Sequence, residues 1–346
     1  MITIRIFIFL LLNVQFILSE DSIQSIFKRQ SGNALQITEL DHWTLPPKYV
    51  KNGDDNKVRR FRLESPQMTI EMISLDLIIT SINIPNQKNE MSDVVLGFDD
   101  INGYLRDSSF SGAFVSLSPK EMQHEKKTPR NWNPTLKENS IVFSLLKDKT
   151  VLLNAEFYLS ETEEELTVDI KGIVSKPTFM NIGLKTYFNL AGYETGPSGI
   201  EGHVVQINAN EISEKSGGEF RYVDLEENDL DLRIPQTLDE IIFKESLKSG
   251  RYFIVDRSIS EFHRFVGRVS HTDSKRYLEV YSNQPAVYFD LSKESQSNGK
   301  NETKLEKNSG FEMKMVTLLD NDQISNINPG DLYTHTIKYK FGVDEF

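Results

Sequence analysis

Apolar and polar residues alternate with a period of two along much of the chain. Leu166, Val168 and Ile170 are separated by Thr167, Asp169 and Lys171, and Tyr277-Leu278-Glu279-Val280-Tyr281 and Ile337-Lys338-Tyr339-Lys340-Phe341 behave likewise. An extended backbone sends successive side chains to opposite faces, so each stretch predicts a strand with one face in a core. Leu75 to Ile84 is rich in Ile and Leu, carries Asp76 near its start and is closed by Pro85-Asn86, and predicts a further strand. Helical spacing is scarce; Leu238 to Leu247 is the best candidate and is short. No segment repeats at a fixed short period. The pattern predicts an all-β protein, one large antiparallel domain over 58–343, and so many strands favour two packed, curved sheets.

The first residues break this pattern. In Met1 to Ser19, Arg5 precedes the unbroken apolar run Ile6 to Leu12, Val14 to Leu18 continue it around Gln15, and the small Ser19 stands before Glu20. This is the pattern of a secretory signal peptide and predicts cleavage near Ser19 and a secreted, extracellular product. The alternative, a retained anchor, needs about 20 apolar residues, and Asn13 interrupts the run. No later segment is apolar enough to span a bilayer. Residues 20–57 are polar, with Pro46-Pro47 and Asn52-Gly53-Asp54-Asp55-Asn56, and predict an N-terminal extension or loop in which Lys28-Arg29 is a candidate processing site.

Composition narrows the function. Of 346 residues 38% are hydrophobic and 10% aromatic, enough to bury a core, which excludes a wholly disordered chain. Asp and Glu number 51 against 39 Lys and Arg, a net charge of −12, which argues against a nucleic-acid partner because that affinity rests on basic surface. With no cysteine, disulfides, zinc–thiolate centres, iron–sulfur clusters and cysteine nucleophiles are excluded. An exported chain without disulfides must be held by its core. Asn301-Glu302-Thr303, in the polar run Ser292 to Asn308, is an acceptor sequon for N-glycosylation. The six histidines, His42, His124, His203, His263, His271 and His335, show no metal-ligand spacing. Neither a metal nor a cofactor is expected.

Three ordered stretches carry a resemblance. The first is Asp93-Val94-Val95-Leu96-Gly97-Phe98-Asp99-Asp100 with Gly103-Tyr104, preceded by Ile79 to Pro85. The second is Thr186-Tyr187-Phe188-Asn189-Leu190-Ala191-Gly192, followed by His203 to Ile207. The third is Leu278 to Pro285 with Ser309-Gly310-Phe311. Leu230-Asp231-Leu232-Arg233 and Pro329-Gly330 fit the spacing between them. Together they resemble the aldose 1-epimerases, the galactose mutarotases, over nearly all of 58–343. The resemblance implies a large two-sheet antiparallel β-sandwich, the galactose mutarotase-like supersandwich. It also implies a sugar site in which a carboxylate takes the anomeric hydroxyl proton while a histidine protonates the ring oxygen, so that the ring opens and recloses.

The chain departs from the family where that chemistry is carried. The family has asparagine and histidine before the position of Thr186; here stand Leu184 and Lys185. The family's base is a glutamate three residues after Phe311; here it is Lys314. The sugar-binding asparagine–arginine pair becomes Lys120-Glu121, the histidine–glycine–glycine segment has only His124 nearby, and the aspartate–histidine pair falls on Gly250-Arg251. An unperturbed lysine, with a pKa of about 10.4, is charged at neutral pH and does not accept protons. Glu312 is a candidate displaced base: in Phe311 to Met315 it alternates onto the same face as Lys314, about 6.6 Å away along the strand. The alternative, which the pattern favours, makes Glu312 and Lys314 a solvent-side ion pair. His203 reads as a structural imidazole. Tyr187 and Asn189 are candidate pocket residues, although Phe188 to Gly192 reads equally as a strand-to-turn device.

Three functions follow. The first is a secreted mutarotase-like protein with a degenerate catalytic site that still binds a carbohydrate. If Lys120, Lys185, Lys314 and Arg251 converge, its ligand is anionic, such as a uronic acid, sulfated sugar or phosphosugar. Pairing of those lysines with Glu121 or Glu312 removes that preference. The second is a working aldose 1-epimerase with relocated acid and base. The third is an interaction or structural protein with no sugar site.

Overall fold

The computed structural model describes residues 35–50, 56–107, 110, 112–117, 129–216, 219–226, 228–244, 249–255, 263–292, 294–317 and 326–344. The proposed leader, the Lys28-Arg29 pair, Lys120, Glu121 and His124 lie outside them. The chain opens with β1 (Gln36–Thr44), β2 (Lys57–Glu64), β3 (Thr69–Ile73), β4 (Ile79–Pro85) and β5 (Met91–Asp93), which form an antiparallel sheet in sequence order. Strand β1 lies inside the segment expected to be an extension or loop. It pairs with β2 from Gln36–Glu64 to Thr44–Lys57. It is an edge strand with no fully buried residue and a bulge between Leu40 and Trp43, so it carries no alternating signature. The strand expected over Leu75 to Ile84 starts later, at Ile79. Asp76 and Leu77 adopt left-handed backbone (φ 48° and 54°), and this turn lets the chain reverse before β4.

Helix α1 (Ile101–Arg106) is capped by the Asp100 carboxylate, which accepts from the Gly103 amide at 3.0 Å. Strand β6 (Gly112–Ser116) follows. Then β7 (Asn133–Leu136), β8 (Ile141–Lys147), β9 (Val151–Leu159) and β10 (Glu165–Val174) form a meander. After β11 (Asn181–Lys185) and β12 (Tyr187–Phe188) come β13 (His203–Ile207), β14 (Glu211–Ser216), β15 (Glu219–Asp224) and β16 (Gln236–Thr237). The helix expected from Leu238 is a single turn, α2 (Leu238–Ile241). The chain ends with β17 (Arg251–Ile254), β18 (Arg264–His271), β19 (Arg276–Ser282), β20 (Ala286–Asp290), β21 (Phe311–Val316) and β22 (Tyr333–Val343). Among the described residues no helix is long and apolar enough to cross a membrane.

A nine-stranded sheet runs β16-β13-β18-β19-β22-β10-β9-β8-β7, and a six-stranded sheet runs β12-β21-β20-β17-β14-β15. Strands β6 and β11 pair beside them, and every strand pairing is antiparallel. The alternating stretches sit as expected: Leu278 and Val280 of β19 and Ile337, Tyr339 and Phe341 of β22 are buried, with Glu279, Lys338 and Lys340 outward. The two large sheets meet over an aromatic core. Phe188 of the six-stranded sheet lies 5.7 Å from Tyr339 and 6.2 Å from Phe341 of the nine-stranded sheet, and 5.8 Å from Phe311.

Two buried cations fasten loops to this core. Arg276 opens β19 with its guanidinium fully buried, donating to the carbonyls of Pro85 (3.2 Å), Glu90 (3.0 Å) and Leu190 (3.0 Å) and to Ser92 Oγ (3.0 Å). It thereby joins the β4–β5 turn to the loop after β12. Lys300 donates to Asp93 Oδ2 at 2.6 Å and the Val95 carbonyl at 2.7 Å. The other Asp93 oxygen accepts from the amides of Ile82 and Val95, so this aspartate organises the start of the first family-like stretch.

Candidate functional site

Strand β21 alternates as expected, with Phe311, Met313 and Met315 on one face and Glu312 and Lys314 on the other. The second face is not solvent-exposed, because all six residues of the strand are buried. Glu312 is 1% exposed. The expectation of a surface ion pair is therefore corrected. Strand β21 is flanked by β12 and β20, and β11 lies against it, so neighbouring strands cover what an isolated strand would leave open.

The register assembles the site. Tyr187 of β12 and Asp290 of β20 stand opposite Glu312, and Tyr288 stands opposite Lys314. Directly opposed residues share a sheet face, so two rows of functional side chains lie side by side. The Tyr187 hydroxyl is 3.0 Å from Asp290 Oδ2 and 3.1 Å from Glu312 Oε2. Asp290 Oδ1 accepts from the Ser292 amide (2.9 Å) and hydroxyl (2.6 Å). Lys314 Nζ lies 3.9 Å from Glu312 Oε1 and 4.4 Å from the Tyr288 ring centre. Lys185 ends β11, is 7% exposed, and its charge acts on Glu312.

Proton accounting follows from this geometry. A phenol has one hydrogen and cannot donate to two carboxylates, so both Tyr187 contacts are hydrogen bonds only if one carboxyl is protonated. Burial raises the Glu312 pKa, against the lowering pull of Lys314 and Lys185 and with the help of Asp290. Burial and the two carboxylates hold the Tyr187 phenol well above its ordinary range. The cluster thus sets two lysines beside two carboxyl groups and a phenol.

Gly183, two residues before Lys185, makes the space for Lys314. A Cβ there would stand 2.9 Å from Lys314 Cγ and Cδ. Gly250 also sits on the cluster, where a Cβ would fall 2.3 Å from the Tyr288 hydroxyl. The adjacent Arg251 does not join it. Its guanidinium turns back onto Ser249 Oγ (2.8 Å) and the carbonyls of Ser249 and Gly250, while Tyr252, opposite Tyr288, packs on that ring at 4.9 Å. Asn189 is also used elsewhere. Its amide donates to the carbonyls of Gly196 and Ser309 and to Thr195 Oγ1, and its oxygen accepts from Ala191. It is the strand-to-turn device. Of the expected site residues, Lys185, Tyr187, Glu312 and Lys314 come together. Tyr288, Asp290 and Gly183 were missed, although Tyr288 and Asp290 alternate with the apolar Val287 and Phe289 on β20.

His203 is structural, as read from the sequence. Its Nε2 accepts from the Leu190 amide at 2.9 Å and its Nδ1–H donates to the Ile200 carbonyl at 3.0 Å. Burial and the neighbouring His271 push its pKa down to about 3. Among the described residues no group of three or more His, Cys, Asp or Glu side chains is arranged to hold a metal ion.

A large antiparallel β architecture of several sheets, with a charged cluster on the strands flanking Phe311, defines a class that sequence comparison then specifies. The profile of the aldose 1-epimerases matches residues 132–340, more than half of the chain, and the protein belongs to that family. Galactose mutarotases of Bos taurus and Homo sapiens are each 27% identical to it, over 330 and 326 residues, covering 83% of this chain and 94% of theirs. Among solved structures, a GalM/aldose epimerase homologue from C. elegans superposes with a TM-score of 0.66 at 16% identity, covering 80% of this chain and 96% of that one. A galactose 1-epimerase from Lactobacillus acidophilus gives 0.66 at 14% identity, covering 90% and 100%. These two establish a shared fold.

Proposed function

We propose that this is a secreted carbohydrate-binding member of the family whose epimerase chemistry is degenerate. One observation carries the reading. On the family resemblance the acid and base positions fall on Lys185 and Lys314, and the nearest carboxyl groups, Glu312 and Asp290, are buried and held by Tyr187 and Ser292. A positioned general acid or base each contributes about 10²–10⁴-fold in rate. Replacing both with ammonium groups removes most of that. The scaffold around them is retained, which supports a binding role. Burial works against charge on Glu312 beside Lys185 and Lys314, and this favours an anionic sugar such as a uronic acid over a neutral hexose.

Polarimetry on freshly dissolved α-D-glucose and α-D-galactose tests the catalytic half: the rotation should relax at its spontaneous rate, unchanged by Glu312→Gln. Acceleration above background that is lost in Glu312→Gln would instead establish an active epimerase with a relocated base. Calorimetry with galactose, glucose and galacturonate tests the binding half, with galacturonate expected to bind tightest. A blank across all three would favour a protein without a sugar site. The secretory reading further expects export with cleavage near Ser19 and a glycan on Asn301, which is exposed on the short turn Lys300–Glu302.

A further inference from the structure

We propose that Lys314 captures the open-chain aldehyde of a reducing sugar as an imine, so that the cluster is a covalent carbonyl-binding site. The inference rests on the reading of this cluster as a sugar site and adds a reaction to it. Three observations support it. Lys314 is fixed rather than free to sweep: its stem fills the space left by Gly183, its nitrogen lies over the Tyr288 ring, and 9% of its side chain is exposed. Glu312 Oε1 is buried without a hydrogen-bond partner among the described residues and faces that nitrogen at 3.9 Å. This gap is too long for a direct hydrogen bond but suits an intervening hydroxyl. The other oxygen, Oε2, is held by Tyr187, which also contacts Asp290, so a proton given up by Glu312 has a short route of replacement.

An amine, a carboxylic acid and a phenol in this order are what imine formation uses. Lys314 passes one ammonium proton through an intervening hydroxyl to Glu312 Oε1, and the amine so formed attacks the aldehyde carbon. The C–N bond forms, the carbonyl electron pair moves onto oxygen, and the proton lost from nitrogen ends on that oxygen, giving a carbinolamine. Glu312 then protonates the hydroxyl, the C–O bond breaks, water leaves, and the nitrogen lone pair closes the C=N bond, leaving a protonated imine beside the Glu312 carboxylate. The sum is ammonium plus aldehyde giving protonated imine plus water, with no oxidant, reductant or cofactor. Hydrolysis by the reverse route releases the sugar.

The full chain is incubated with glycolaldehyde and, separately, with D-galactose, each with sodium cyanoborohydride, followed by intact mass and peptide mapping. A single reduced adduct is expected at Lys314, formed about 10²-fold faster than at surface lysines, the low end of what a positioned acid contributes. Lys314→Arg, with an unchanged melting profile, should abolish it. Glu312→Gln should slow trapping by about 10²-fold with Lys314 present and shift its pH profile, a change that a packing role would not produce. If Lys314 reacts no faster than surface lysines with either aldehyde, the imine is refuted; sugar binding by calorimetry in that case leaves the carbohydrate reading standing. Trapping of glycolaldehyde at Lys314 without any sugar binding would support carbonyl capture and overturn the sugar reading.

Discussion

Mild acid should destabilise the fold through two buried imidazoles. His203 is buried as a neutral ring, its Nε2 committed to the Leu190 amide and its Nδ1–H to Ile200, so a second ring proton would set donor against donor. His335 is equally buried, with the Tyr333 hydroxyl 3.2 Å from Nδ1. Burial pushes each pKa down from 6.5 to about 3. Because the folded value is depressed, the unfolded chain binds the proton first. Stability is therefore full above 6.5 and is lost as pH falls from 6.5 toward 3. The shift of about 3.5 units corresponds to roughly 5 kcal/mol per histidine over the whole window. Between about pH 7 and about pH 5 the loss is about 2 kcal/mol each, or about 4 kcal/mol for the pair. His271, also depressed by burial, adds to it. Glu312 opposes it, since a raised carboxyl pKa stabilises below 4.5 and that stabilisation is lost as pH rises. The readout must be a difference between variants. Urea unfolding at the two pH values should show wild type losing about 2 kcal/mol more than His203→Gln and about 2 kcal/mol more than His335→Gln, whatever their stability at neutral pH. A variant whose acid loss equals that of wild type would refute the assignment of that histidine.

Substitutions at two further positions probe the supports. Arg276→Met removes the guanidinium donor from the Pro85, Glu90 and Leu190 carbonyls, of which Glu90 keeps the Asn86 amide and Leu190 the Ser274 hydroxyl, and should cost about 2 kcal/mol by urea unfolding. Arg276→Lys should recover less than half of this, because one ammonium cannot span the three, and a loss under about 1 kcal/mol would show that water replaces the guanidinium. Gly183→Ala should cost about 1–3 kcal/mol by overpacking the Lys314 stem and should slow aldehyde trapping at Lys314; a neutral outcome on both would mean that the stem moves aside.

The fold class was legible because β10, β19 and β22 each bury one face, so their side chains alternate in the sequence. Strand β1 was not legible: an edge strand that buries nothing fully has no such signature. The six-residue α1 is too short for a helical period, although Asp100 three residues before Gly103 is its cap. At the site, the alternation of β21 correctly put Glu312 and Lys314 together but not what covers them. Burial there depends on which strands become neighbours, and the pairing of residue 288 with 314 and of 290 with 312 is a long-range property absent from any local window. Arg251 shows the converse. Its neighbour Gly250 touches the cluster, but the direction of a long side chain at a strand end is set by the nearest carbonyls.

The position of Glu312 decides what chemistry the proposed site retains. It shares a strand and a face with Lys314, one repeat away along the backbone, and its Oε1 lies 3.9 Å from Lys314 Nζ, whereas direct proton transfer needs heavy atoms roughly 3 Å apart. A sugar seated as the family resemblance implies would present its anomeric carbon to the Lys314 amine, with the carboxyl group behind that amine and turned toward Tyr187. From there Glu312 cannot take a proton from the anomeric hydroxyl directly, but it can protonate an oxygen carried on a carbon bonded to Nζ. On the proposed reading, the same displacement places an acid where carbinolamine dehydration requires one. Weak ring-opening catalysis and imine formation would then be two consequences of one arrangement.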